Sequence, residues 1–220
     1  MKIGIIGSGN MGSGLARRIA GAGHDVLMTA RDPTEAGKIA KQIGPKVKVV
    51  PPLEVATGVD ILIAATPADE QLNALKGCGD LAGKVVIDIC NPLKPDMSGL
   101  SVGFTTSFAE ELAKALPGVK IVKAFNTVFA QVLSEGPDFG KGIRASAFYC
   151  GDDEGARKTV HQLIESMGFD AIDAGPLANA RYLEPMGMLN IWFGYMAKQG
   201  TGIALSLVRR GRTAEKKKAA

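Results

Sequence analysis

The sequence predicts an α/β fold: a doubly wound parallel sheet of the dinucleotide-binding (Rossmann) kind, with a small C-terminal helical extension. Two observations predict it. Short, β-branched apolar runs alternate with segments of helical periodicity along most of the 220 residues, the pattern of strands that are buried on both faces and joined by crossover helices. The first of these runs, Ile3 to Ile6, leads into Gly7, Gly9 and Gly12 at the G-x-G-x-x-G spacing, which opens the first helix.

That opening unit is the most informative stretch. Apolar Met11, Leu15, Ile19 and Ala22 follow at helical spacing, and a second strand begins at Asp25. Gly7 permits a tight turn, Gly9 lets a pyrophosphate approach the backbone, and Gly12 lets the helix pack close to the strand. The helix N-terminus offers unpaired N–H groups and a positive dipole end to phosphates.

NAD enzymes usually place a carboxylate at the tip of the second strand, where it bonds the ribose 2′-OH. Here the tip reads Thr29, Ala30, Arg31, with Asp32 one step beyond. Arg31 favours NADP, because a guanidinium pairs a 2′-phosphate. The other reading, Asp32 on the ribose of NAD, stays open.

The later elements follow in order. Pro33 to Ile43 reads as a helix that starts on a proline and ends before Gly44-Pro45. Val47 to Val50 is a third strand, Pro52 to Thr57 a short helix, and Asp60 to Ala65 a fourth strand ending at Thr66-Pro67. Asp69 to Leu75 is helical, and Lys84 to Ile89 is a fifth strand ending at Cys90-Asn91-Pro92. Residues 96–104 read as an active-site loop, and Ser107 to Leu116 as a helix capped by Thr106 or Ser107 with Glu110 as partner. Val119 to Ala124 is a sixth strand that ends at Phe125-Asn126-Thr127.

Residues 131–145, with Gly136, Pro137, Gly140 and Gly142, read as a loop. Ala147 to Cys150 is a strand, and a helix capped by Asp152 or Asp153 runs through Met167. Ala171 to Asp173 is a last strand, and Asn179 to Lys198 the longest helix. The wide apolar coverage of that helix suggests packing on its own subunit and on a second copy. The expected division is a Rossmann domain over 1–174, a helical dimerisation and acceptor-site extension over 175–208, and a basic tail over 209–220.

In a parallel sheet the ligand lies beyond the carboxyl ends of the strands. Those ends gather Gly7, Ser8, Gly9, Asn10 and Met11; Thr29, Ala30 and Arg31; Ala65, Thr66 and Pro67; Asn91 and Pro92; and Asn126 and Thr127. They are small, polar or proline, as suits a cofactor cleft.

Composition excludes other classes. The net charge of +4 rests on a C-terminal cluster of three arginines and three lysines, so the rest is near neutral. Aromatic content of 5% with no basic–aromatic interleaving argues against nucleic acid. Cys78, Cys90 and Cys150 form no C-x-x-C and read as reduced, buried thiols of a cytoplasmic protein. Two histidines cannot build a His-rich metal site. No apolar run reaches the roughly 18 residues of a membrane span, and the N-terminus lacks an export signal.

Residues 6–12, the Ala-Arg at 30–31, Lys-Ala-Phe-Asn-Thr at 123–127, Cys-Gly-Asp-Asp at 150–153 and Asp-Ala-Gly-Pro-Leu-Ala-Asn-Ala-Arg at 173–181 together resemble the NADPH-dependent coenzyme F420 reductase family. That family includes deazaflavin-dependent NADP oxidoreductases and the cytosolic domain of STEAP ferric reductases. The resemblance implies a Rossmann homodimer that moves a hydride between NADP(H) and a flavin-like ring. It implies Ser8, Gly9, Asn10 and Met11 at the pyrophosphate, Arg31 at the 2′-phosphate, and Thr66-Pro67 and Asn91-Pro92 beside the ribose and nicotinamide. Asn126 and Thr127 are the expected polar contacts near the reacting ring. Asn126-Thr127 is similar to the STEAP form rather than to the His-Thr of the archaeal enzymes. That leaves FMN, FAD or a ferric chelate as acceptors beside coenzyme F420, and no transmembrane electron path through a haem domain is expected.

Two other readings remain. Lys123 and Asn126 have the K-x-x-N look of hydroxyacid-type dehydrogenases, but at a strand end Lys123 reads as a solvated flanking lysine. A non-catalytic NADP sensor would bind the cofactor and turn over no acceptor.

Overall fold

The computed structural model describes residues 1–209; most of the basic tail expected over 209–220 therefore lies outside the described residues. One eight-stranded sheet forms the centre, ordered β3-β2-β1-β4-β5-β6-β7-β8. The strands are β1 Lys2–Ile6, β2 Asp25–Thr29, β3 Val47–Val49, β4 Ile61–Ala64, β5 Val85–Asp88, β6 Lys120–Ala124, β7 Ser146–Gly151 and β8 Asp170–Asp173. The helices are α1 Asn10–Gly21, α2 Pro33–Ile43, α3 Ala68–Lys76, α4 Phe108–Ala115, α5 Ala130–Glu135, α6 Glu154–Ser166 and α7 Ala180–Ile191.

The first six strands are parallel in the doubly wound order expected from the βαβ pattern. β7 departs from it by pairing antiparallel with β6, while β8 runs parallel to β7. The register aligns the strand ends: Ile6 lies opposite both Thr29 and Ala64, Ala64 opposite Asp88, and Asp88 opposite Lys123. Five strands thus open onto one edge, and that edge carries the cleft.

Apolar side chains fill both faces. Ile3, Ile5, Leu15, Ile19 and Leu163 belong to the cluster under α1 and α6. Ile6, Leu62, Leu75, Leu112 and Leu183 belong to the cluster under α3, α4 and α7. Each such aliphatic side chain contributes about 1.5–3 kcal/mol on burial. Gly4 alone in β1 lacks a side chain because a Cβ there would stand 2.5 Å from the Val55 carbonyl oxygen.

Two of the expected elements differ in the structure. Residues 131–145 are not all loop, because α5 is a short helix whose Val132 and Leu133 are buried. Its ends hid it: Gly136 and Pro137 follow at once, and α1 supports it from outside, with Arg18 Nε donating to the Leu133 carbonyl at 3.0 Å. The helix expected over 179–198 is α7, which continues as a single π-turn over Trp192–Met196. From Gly200 (φ +79°) to residue 209 the chain forms no helix, and the Ser146 N–H donates to the Leu205 carbonyl at 2.9 Å.

Candidate functional site

The cleft begins where β1 meets α1. Gly7 has φ +106°, which only glycine adopts without strain, and a Cβ there would lie 2.4 Å from the Ala65 carbonyl oxygen. Gly12 is held as tightly, since a Cβ would stand 2.1 Å from the Gly7 carbonyl oxygen. Gly9 differs: a Cβ there meets nothing within 4 Å. Its missing side chain leaves space rather than relieving a clash with the protein. Gly9 is also the N-cap of α1, which has no side-chain cap and no acid in its first turn. α2, α4 and α6 are capped by Asp32, Ser107 and Asp153, whereas α3, α5 and α7, like α1, have no side-chain cap. An open cradle before uncapped N–H groups fits a phosphate.

On one side of Gly9 lies a cavity of about 610 Å³ lined by Gly7, Ser8, Thr29, Ala30, Arg31 and Asp32, and across from them by Pro52, Thr66, Pro67 and Glu70. Asp32 is committed to its own helix, its Oδ1 accepting from the Thr34 and Glu35 N–H groups at 2.9 and 3.0 Å. Arg31 is exposed, and its Nη1 donates to Glu70 Oε1 at 2.9 Å.

On the other side lies a cavity of about 880 Å³, sharing Gly9, Ala65, Thr66 and Pro67 with the first. The two form one groove across the ends of β1 and β4. Asn10, Met11, Cys90, Asn91, Asn126 and Thr127 line the second chamber with apolar Ile89, Met97, Phe125, Phe129 and Ile191. Pro92 does not line it; buried behind the wall, its carbonyl accepts from the Ser101 N–H at 2.7 Å.

The chamber floor is locked. Asn91 Nδ2 donates to the Asn126 carbonyl at 2.7 Å, and Asn126 Nδ2 donates to Asn91 Oδ1 at 3.0 Å and to the Leu183 carbonyl at 2.7 Å. Both amide protons of Asn126 are therefore engaged, and only its Oδ1 lacks a partner. The hydroxyls of Thr66 and Thr127 are likewise buried and unpartnered. Gln71 Oε1 and Thr106 Oγ1, which do not line the groove, are buried without a protein partner as well. α7 comes close enough only because residue 187 is glycine; a Cβ there would lie 2.5 Å from Asn91 Oδ1. Phe125, buried at the end of β6, adopts φ +60°, a strained conformation for a non-glycine residue.

Lys123 is not a solvated flanking residue. Its side chain has no exposure, and its ammonium donates to Asp88 Oδ2 at 2.8 Å, Glu184 Oε1 at 2.8 Å and the Cys90 carbonyl at 2.5 Å. Burial disfavours the charge, but Asp88 and Glu184 outweigh it and hold the pKa above the usual lysine value. Glu184 also accepts the Phe108 and Ala109 N–H groups at the start of α4. All three ammonium protons are used, so Lys123 has none for a substrate carbonyl or imine.

Cys90 borders the second chamber, and burial pushes its thiol up to about 12. The three cysteines are free and buried. Among the described residues no group of three or more His, Cys, Asp or Glu could hold a metal ion. Among them, too, no helix is long and apolar enough to cross a membrane.

The strand-end residues expected from the sequence converge on the groove, Pro92 excepted. Sequence reasoning missed Glu70, Gly187, Asn190, Tyr195 and the Lys123 cluster. Glu70 reads in the sequence only as a first-turn helix acid, and Gly187, Asn190 and Tyr195 reach the groove from an element distant in the chain.

The fold and the groove define an α/β protein built to hold an extended nucleotide cofactor. Residues 2–92 match the family model described as coenzyme F420-dependent NADP oxidoreductase. The F420-dependent NADP reductase of Methanothermobacter marburgensis is 31% identical over 207 residues, covering 87% of this chain and 91% of that protein. A crystal structure from an Arthrobacter species, described provisionally as an F420-dependent NADP reductase, superposes with a TM-score of 0.82 at 30% identity over 95% of this chain and all of that one. Metalloreductase STEAP3 of Rattus norvegicus is 31% identical over 193 residues, 87% of this chain, which spans only 38% of that protein's length. The chain belongs to the F420-dependent NADP oxidoreductase family.

Proposed function

We propose that this chain moves a hydride between NADP(H) and a flat heteroaromatic acceptor, either coenzyme F420 or a flavin such as FMN or FAD. The observation that carries the reading is the continuous groove. It runs from the open cradle at Gly9 into an apolar chamber with room for a second ring. When bound, the nicotinamide supplies the hydride from C4, delivered to C5 of a deazaflavin or N5 of a flavin, with a proton from solvent completing the reduction.

The protein's own part is placement. The α1 N–H groups and Gly9, with Ser8, Asn10 and Met11, hold the pyrophosphate, and Gly7 shapes the turn. Thr29, Ala30 and Arg31 take the adenosine ribose and its 2′-phosphate. Ala65, Thr66, Pro67 and Asn91 border the nicotinamide ribose, with Pro92 supporting from behind. Thr127 offers a hydroxyl and Asn126 a carboxamide oxygen beside the reacting rings, and the apolar walls exclude water. A ferric chelate, the acceptor type suggested by the metalloreductase relatives, is the second candidate, on the strength of Asn126-Thr127.

In this reading the protein is cytoplasmic, with reduced thiols, and nucleic acid plays no part. It divides as a cofactor domain over 1–174 and an extension over 175–208. A homodimer forms through that extension, since Tyr182, Leu189, Trp192 and Tyr195 are exposed there. The test is to mix the protein and NADPH with F420, FMN, FAD or a ferric chelate and follow the loss of reduced-nicotinamide absorbance. Turnover with F420 or a flavin supports the main reading and ferric turnover the second. Binding without turnover identifies a sensor instead.

A further inference from the structure

The adenosine chamber has an uneven charge inventory. Arg31 is the single cation among its described lining residues, against two carboxylates, Asp32 and Glu70. Asp32 is occupied by its helix cap. Lys38, on α2 and outside the chamber lining, pairs with Glu35 at 3.0 Å. Glu70 crosses from the first turn of α3 to meet Arg31 at 2.9 Å, so the guanidinium is already paired with a carboxylate on the opposite wall.

We propose that Glu70 is a specificity-determining residue: it competes with the cofactor 2′-phosphate for Arg31 and narrows the preference for NADPH over NADH. The proposal rests on the reading of Arg31 as the phosphate contact. A phosphate monoester carries nearly two negative charges at neutral pH. To reach Arg31 it must either displace Glu70 or lie beside it, and both are unfavourable. NADH brings a 2′-hydroxyl instead, which is neutral and is not repelled by Glu70. The helix itself does not depend on Glu70, because Asp69 places a second acid in the same turn. The side chains of Arg31 and Glu70 are 86% and 41% exposed, so water and salt screen the competition.

The test titrates the full-length wild-type, E70Q and R31A proteins with NADP⁺ and NAD⁺ by calorimetry at low and high salt. E70Q keeps the side-chain shape and removes the charge. It is expected to raise the Kd ratio of NAD⁺ over NADP⁺ about five- to tenfold at low salt, with a smaller rise at high salt and the NAD⁺ Kd little changed. An unchanged ratio overturns the proposal. A falling ratio overturns it too, because Glu70 would then prop Arg31 for the phosphate. If R31A loses discrimination while E70Q changes nothing, only the competition fails. If R31A discriminates as wild type does, the phosphate role of Arg31 fails with it.

Discussion

Lys123 and Glu184 are separated by 61 residues in sequence, yet Nζ and Oε1 lie 2.8 Å apart with neither side chain exposed. This contact, with Asp88, ties β5, β6, α4 and α7 together beneath the second chamber. Replacing Lys123 by Met leaves two buried carboxylates without a cation, and should cost about 3–5 kcal/mol in urea unfolding. The triple variant Lys123→Met, Asp88→Asn, Glu184→Gln should lose less than the single one, because no buried charge is left unpaired. The folded-state lysine pKa is raised above 10.5. Its contribution is therefore complete below that value and is lost as pH rises through the folded pKa.

The glycines separate folding from binding. Gly9→Ala should leave the melting temperature unchanged, since a Cβ there meets nothing within 4 Å. It should weaken NADPH binding by about tenfold or more, by filling the space the pyrophosphate needs. Gly12→Ala should instead destabilise the fold by about 1–3 kcal/mol, because its Cβ would meet the Gly7 carbonyl. Thermal melts paired with NADPH titrations check both.

The first βα turn was legible in the sequence because its signal is local. Strand, glycines and helix lie within about 30 residues, and Gly7 and Gly12 each answer a close contact while Gly9 leaves open space. The strand ends were legible too, since parallel topology forces them to one edge. The remainder was hidden by distance along the chain. Lys123 read as solvated because its partners Asp88 and Glu184 lie on other elements. The helix α5 was obscured by Gly136 and Pro137, and its support comes from Arg18 on α1. The Asp173-to-Arg181 motif reads as structure: Asp173 pairs Arg157, Asn179 bonds the Ala174 carbonyl, and Arg181 clamps Glu110.

Arg31→Ala should cut discrimination between NADPH and NADH by about 10- to 100-fold, the worth of a hydrogen-bonded charge contact. Asp32→Ala should instead cost about 1 kcal/mol of stability through the lost cap of α2, with selectivity unchanged. Affinities for both cofactors, measured beside denaturation curves, distinguish these outcomes.

Gly187→Ala should push α7 away from Asn91 and Asn126, whose amide atoms lie 2.5–2.9 Å from the added Cβ. The adenosine chamber is untouched. Turnover should fall further than NADPH affinity does, as steady-state kinetics beside binding titrations will show.

The Arg181 guanidinium holds the Glu110 carboxyl below its usual 4.5. Glu110 therefore contributes stability that is present above that value and is lost as pH falls through the folded pKa. Glu110→Gln should flatten the acid side of the stability profile, measured by urea unfolding across the acidic range.

The most direct measurement of the central claim follows 4-deuterated NADPH with oxidised F420 and, separately, a flavin. The account predicts saturable loss of reduced nicotinamide, with the deuterium of one face recovered on C5 of the reduced deazaflavin. Tight NADPH binding with no transfer to F420 or to the flavin would contradict it.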